Sequence, residues 1–255
     1  MKAGLLRVCT VLASLALLAP TGAHLAGAQS LAASTASHPG YVSPSGRTIQ
    51  HGPGASSILV LNTTSIVSSV GRALNDLGYT YTEMDTTTWT GIDFTPYDAV
   101  IVTMDGGTME VADVAALRTG VVGAGKNLIM FGGSCWQSFA QGMYQYLVQI
   151  DPSNWCWTVS APPGLHLLVS NPLTVNLPQD YSWMTAEAGF YMARPIDPAI
   201  LRVAGNGDHY INYLAKGSLP VHLIWFTNSP YDGYWTVDSD YQVLKQIVAN
   251  CLSVS

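Results

Sequence analysis

The sequence predicts a doubly wound α/β domain on a mostly parallel sheet, extended by an antiparallel hairpin in its C-terminal half. Three observations carry this expectation. Apolar runs too short for a helix, such as Ile58-Leu59-Val60-Leu61, read as strands buried on both faces. They alternate with amphipathic segments at a spacing that calls for right-handed crossovers, and hence for helices on both faces of the sheet. From residue 155 onward the pattern changes to short strand candidates broken by Pro and Gly, around Gly205-Asn206-Gly207-Asp208, whose residues accept positive φ at low cost.

In chain order, Asn62-Thr63-Thr64-Ser65 offers N-cap side chains to a helix with Ile66, Val67, Val70, Ala73, Leu74 and Leu77 on one face, and Gly78 closes it. Residues 79–84 form a second strand and residues 97–104 a third, which runs into Asp105-Gly106-Gly107. Thr108 is placed to cap a helix carrying Val111, Val114, Leu117 and Val121, ended by Gly123-Ala124-Gly125. Residues 128–131 make a fourth strand that breaks at Gly132-Gly133-Ser134-Cys135 into a helix expected over 137–150. Residues 155–159, 165–169, 200–204, 209–214 and 221–226 are the later strand candidates. A helix with Tyr241, Leu244, Ile247, Val248 and Cys251 on one face ends the chain, with Asp238 and Asp240 as its expected caps.

The N-terminus bears on compartment. Lys2 and Arg7 precede an apolar run at 11–18, and Ala26-Gly27-Ala28 has the small residues of a signal-peptidase site. The run is shorter than the roughly 20 residues needed to cross a bilayer. Residues 1–28 therefore read as a cleaved export signal that takes Cys9 with it, and the mature protein as secreted or periplasmic. Residues 29–57, rich in Ser, Gly, Pro and Ala without hydrophobic periodicity, read as a disordered spacer, and residues 58–255 as the domain. Of 10 Lys+Arg and 16 Asp+Glu, cleavage removes two bases and no acid. An acidic chain with scattered cations argues against nucleic acid as a partner, and no later run supports membrane attachment after cleavage.

Ligands of open α/β sheets bind beyond the carboxyl ends of the strands. The residues falling there are the candidate ligand set: Asn62, Asp105, Gly106, Gly133, Ser134, Trp136, Thr227 and Asn228, with Asp85 alongside. Cys135 sits at a strand-turn-helix elbow, where the amides of a helix N-terminus stabilise a thiolate or an oxyanion, and is the candidate nucleophile. With no C-x-x-C or H-x-x-x-H spacing, no metal site is expected, and no cofactor is implied. Cys135, Cys156 and Cys251 survive export as an odd set. A Cys156–Cys251 disulfide is slightly preferred over Cys135–Cys156.

This order of elements, with Cys135 at the turn after the fourth strand, resembles the class I glutamine amidotransferase-like, flavodoxin-like domain, including its non-catalytic relatives of the trehalose-utilisation-like kind. The resemblance covers nearly all of residues 58–255. The family elbow reads G-x-C-x-G-x: Gly133-Ser134-Cys135 matches its start, and Gln137 stands where the second glycine belongs. The family triad is completed by His-x-Glu after a late strand, whereas Thr227-Asn228-Ser229-Pro230 follows the corresponding strand here. A cysteine without such a base is only roughly a few per cent thiolate near neutral pH. The resemblance thus implies a non-catalytic scaffold acting in ligand binding or protein interaction, its partner a small molecule, a carbohydrate or a protein. Two alternatives stand beside it. One is a cysteine-dependent hydrolase or acyl-transfer enzyme in which Cys135, polarised by Ser134, recruits His166 or Asp105 as base. The other is carbohydrate recognition by Tyr231, Tyr234 and Trp235 around Asp232-Gly233.

Overall fold

The computed structural model describes residues 46–54, 57–63, 68–105, 110–133, 165–184, 199–206, 210–216, 223–228 and 231–254, all within the unit Ser37–Ser255. Its strands are β1 (Thr48–His51), β2 (Ile58–Asn62), β3 (Tyr81–Asp85), β4 (Ala99–Asp105), β5 (Asn127–Gly133), β6 (Leu165–His166), β7 (Asp180–Tyr181), β8 (Ile200–Asn206), β9 (Tyr210–Lys216) and β10 (Leu223–Phe226). Its helices are α1 (Ser69–Asp76), α2 (Val111–Leu117), which continues into a π turn at Arg118–Val122, and α3 (Asp238–Ser253).

Eight strands form one sheet in the order β1-β3-β2-β4-β5-β10-β9-β8, and β6 pairs with β7 in a second, antiparallel sheet. The inner strands β3-β2-β4-β5-β10 are mutually parallel, while β1, β9 and β8 join antiparallel. The parallel order is that of flavodoxin-like sheets, with the switch point between β2 and β4. Both faces are covered, so the inner strands are apolar throughout. Val60, Ile101, Phe131 and Phe226 pack with Leu74 of α1 and Leu244 and Ile247 of α3 on one side. Leu61, Val102, Met130 and Trp225 pack with Val114 and Leu117 of α2 on the other.

Five local outcomes differ from expectation. The folded unit starts before Ile58, because β1 pairs with β3 inside the stretch read as spacer. That edge is polar and is held by cross-strand side chains, Thr82 Oγ1 donating to Gln50 at 2.7 Å and His51 Nε2 meeting Glu83 at 2.9 Å, so it carries no hydrophobic period. The N-cap of α1 is Ser68 rather than residues 62–65: its backbone is extended and its hydroxyl accepts from Val70 N at 3.2 Å. Ser68→Ala is expected to cost about 1 kcal/mol of stability, with Ser68→Asp recovering most of it, read by urea denaturation. Val111 is 57% exposed rather than part of the buried stripe of α2, because the chain enters the helix there with Glu110 as an extended cap.

Asp238 and Asp240 do not cap α3, whose cap residue is Val237. Asp238 instead accepts from Gln242 one turn on, and Asp240 turns inward. Finally, Cys251 carries its sulfur as a thiol, so the preferred pair with Cys156 is not formed. The inner face of α3 presses Cys251 against Tyr213, Sγ to Oη 3.4 Å. Gly78 does close α1, in the left-handed region at φ 78° where a side chain would be strained. β8 and β9 pair as the expected hairpin, Asn206 opposite Tyr210; residues 207–209 of its turn lie outside the described residues. Thr108, the 137–150 helix and the 155–159 strand also lie outside them.

Candidate functional site

At the switch point Asn62 of β2 stands in register with Thr103 of β4. Both are buried. Thr103 Oγ1 donates to Asn62 Oδ1 at 3.2 Å, and Asn62 Nδ2 donates to Glu83 Oε1 at 3.3 Å. The other Glu83 oxygen pairs with His51 Nε2, whose ring stacks on Tyr81 at 4.2 Å between centroids. Thr63 Oγ1 donates to the Thr103 carbonyl at 3.1 Å. Asn62, a candidate ligand residue, is therefore committed at both ends of its carboxamide to a chain of polar groups running to the sheet edge. Tyr81 anchors that edge by donating to the Gly71 carbonyl at 3.2 Å. Burial, and secondarily the Glu83 charge, push its phenol up to about 12. Asp85 ends β3 buried and paired with Arg47 at 3.4 Å.

Between β5 and β10 the arrangement differs. Gly132 adopts φ 82°, a conformation that frees the strand to bend sharply at its end, and Trp225 Nε1 donates to its carbonyl at 2.7 Å. Gly133 then closes β5 in register with Asp105, the last residue of β4. Gly106, Ser134, Cys135 and Trp136 lie outside the described residues, as does Cys156.

Thr227 and Asn228 follow β10 directly, 0% and 1% exposed. They continue the chain beyond Trp225, which packs on the α2 face, and Phe226, which packs on the α1/α3 face. Among the described residues, neither Nδ2 nor Oδ1 of Asn228 has a hydrogen-bond partner.

Trp183, which sequence reasoning passed over, packs on that same face. Its ring meets Phe226 at 6.3 Å and Trp235 at 5.2 Å, both edge to face. No periodic pattern marks it, because it lies in a segment that is neither helix nor strand. The segment is held by Asp240, which accepts from Tyr181 Oη at 2.7 Å and from Met184 N at 3.0 Å.

The aromatic loop expected to present stacking rings does not do so. Tyr234 and Trp235 are buried, and Tyr231 and Tyr234 meet at 87° rather than side by side. Asp232 is taken up by Arg72 at 3.2 Å, and Arg72 also donates to the Trp235 carbonyl at 2.8 Å and lies 3.7 Å over the Tyr241 ring. These contacts pull the loop onto the core in place of solvent. His166 sits exposed on β6, its Nδ1 2.5 Å from Asp180 Oδ1. Among the described residues no group of three or more His, Cys, Asp or Glu side chains is placed to hold a metal ion, and no helix is long and apolar enough to cross a membrane.

No family model matches the sequence. No curated protein matches it either. Solved structures do share its architecture. A putative GMP synthase subunit from Thermoplasma acidophilum is 9% identical with a TM-score of 0.52, the match covering 80% of this chain and 96% of that one. A glutamine amido transferase from Methylobacillus flagellatus is 8% identical at 0.52, covering 79% and 95%. SMU.1228c is 10% identical at 0.55, covering 76% and 98%. At such identities the likeness is one of fold: the flavodoxin-like α/β fold of class I glutamine amidotransferases.

Proposed function

We propose that this chain, built on the amidotransferase fold, is an exported protein that does not hydrolyse glutamine and instead binds a ligand at the carboxyl end of its parallel sheet. The observation that carries the reading is the pair of residues just past β10. Where the resembling family places an imidazole, this chain has Thr227 and Asn228, both buried, the Asn228 carboxamide without a hydrogen bond among the described residues. A carboxamide does not take up a proton near neutral pH, so it can neither draw the proton from a thiol nor protonate a departing amine. Export rests on Lys2, Arg7, the apolar run and Ala26-Gly27-Ala28.

Incubation of the purified protein with L-glutamine is the direct test. Ammonia release is expected to stay at the buffer rate, and labelling of Cys135 by a thiol reagent is expected to follow an ordinary cysteine pH profile. Ammonia release abolished by Cys135→Ala would overturn the reading. The bend at Gly132 favours a second reading, acyl transfer by Cys135 with a base from elsewhere. It requires a stoichiometric burst from an activated ester that disappears with the same substitution.

A further inference from the structure

His51 stands on an edge strand of the sheet, yet side-chain bonds alone tie its imidazole to the switch point. Nε2 meets Glu83 Oε2 at 2.9 Å, Glu83 Oε1 accepts from Asn62 Nδ2 at 3.3 Å, and Asn62 Oδ1 accepts from Thr103 Oγ1 at 3.2 Å. The four residues belong to four successive strands, β1, β3, β2 and β4. Exposure falls along the same path: the His51 side chain is 25% exposed and that of Glu83 16%, while Asn62 and Thr103 are buried. A group that water reaches is thus wired to groups that water does not reach.

The surroundings leave the imidazole one counter-charge. A carboxylate only accepts, so the bond to Glu83 assigns the hydrogen to Nε2 and leaves Nδ1 to take up a proton. The ring lies flat on Tyr81, 4.2 Å between centroids and 11° between planes. That phenol donates to the Gly71 carbonyl of α1 and, pushed up to about 12, stays neutral at ordinary pH. The remaining charges on β1 and β3, Arg47 and Asp85, pair with each other at 3.4 Å. Gln50 and Thr82, bonded at 2.7 Å, carry none, and neither does Asn75 of α1, which meets Tyr81.

We propose that His51 is a proton-operated positioning residue for the switch point: its charge state, passed through Glu83, sets how firmly the Asn62 carboxamide is held. An imidazole is the side chain whose charge ordinarily changes between about pH 5 and 8. One proton moves from solvent to Nδ1, and no other bond is made or broken covalently. With charge on both partners the bond between Nε2 and Oε2 tightens. The carboxylate's charge is drawn toward Oε2, and Oε1 accepts more weakly from Asn62 Nδ2 across the longest of the three links. The neutral ring therefore leaves Asn62 firmly held and the cation loosens it. That this regulates binding rests on the ligand reading above; the coupling itself needs no ligand.

Heteronuclear NMR of the isotope-labelled mature chain tests the coupling, in a series between about pH 5.5 and 8. His51→Phe keeps a flat ring on Tyr81 and removes the proton site. Glu83→Gln keeps an acceptor and removes the charge. In the parent, the Asn62 side-chain amide protons are expected to move upfield as pH falls, with the midpoint shown by the His51 ring. In both variants that movement is expected to vanish. The Asn250 amide, held by the Leu173 and Val175 carbonyls, serves as the reference that stays still.

An Asn62 amide that does not move in the parent overturns the proposal, and so does a midpoint different from that of His51 or a movement that survives His51→Phe. A purely structural pair would lower the denaturation midpoint of the variants and leave the parent Asn62 signal level with pH. Where a variant fails to fold, the parent series decides alone. Ammonia release from L-glutamine sinks the non-catalytic reading without touching the coupling, whereas a level Asn62 signal sinks the coupling and leaves that reading in place.

Discussion

Asp113→Ala is expected to destabilise the fold by about 3–5 kcal/mol. The Asp113 carboxylate is buried in α2, and a single oxygen, Oδ1, accepts from Trp89 N at 2.6 Å, Thr90 N at 2.7 Å and Thr90 Oγ1 at 2.7 Å. Those three donors belong to the loop after β3, and the loop delivers Trp89, 0% exposed, to the α2 side of the core. Hydrogen bonds to a charged acceptor are worth about 1.5–3 kcal/mol each, and removing the acceptor leaves its donors unsatisfied beside a cavity. Asp113→Asn, which keeps a carbonyl oxygen of the same shape, is expected to cost roughly half as much. Urea denaturation at neutral pH reads both: the midpoint falls while the slope with denaturant holds. A midpoint change equivalent to less than about 1 kcal/mol for the alanine variant would show that the loop is held by Trp89 packing alone.

The second large effect is alkaline unfolding. Burial pushes the Cys251 thiol from its ordinary 9.0 up to about 12, and burial with the Glu83 charge pushes Tyr81 from 10.0 up to about 12. Burial holds Tyr213 well above 10.0, reinforced by Cys251, and raises Tyr241, with help from its hydrogen bond to Asp76. All are neutral acids that the folded state keeps protonated. Their contribution is fully present below the unfolded-state values and is lost as pH rises through the folded ones, over about pH 9–12 for Cys251 and 10–12 for Tyr81. Each group steepens the loss by about 1.4 kcal/mol per pH unit within its window. With several acting together, the fall by pH 11 is on the order of 5 kcal/mol, comparable to the whole stability of a small domain. Denaturation midpoints at pH 8, 9, 10 and 11 give the curve. Tyr81→Phe is expected to flatten it above pH 10 and Cys251→Ala from pH 9. A parent midpoint that stays level to pH 11 contradicts the assignment.

Legibility in the sequence followed burial. β2, β4 and β5 are enclosed on both faces, and so appear as continuous apolar runs that need no knowledge of partners. The inner stripe of α3, from Tyr241 to Cys251, was equally plain, since helical spacing alone defines it. What escaped was held by side chains distant in sequence. β1 is polar because its strength lies in pairs with β3, 32 residues away for His51 and Glu83. Asp240 read as a cap because acidic residues at a helix start usually are caps, yet its partners Tyr181 and Met184 lie 59 and 56 residues earlier. The aromatic residues at 231–235 looked free to stack on a ligand, but a salt bridge from Arg72, 160 residues before Asp232, draws them inward.

By itself the sequence determined the alternation of strand and helix, the apolar identity of the inner strands, and the presence of Thr227 and Asn228 beyond β10. Those are properties of periodicity and order along the chain. Only the tertiary structure decided that Asn228 is buried just past β10, that Trp183 packs edge to face on Phe226, and that Asn62 is spent within a polar chain. Such outcomes depend on which side chains packing brings within hydrogen-bonding distance. No local pattern encodes contacts between residues separated by tens of positions.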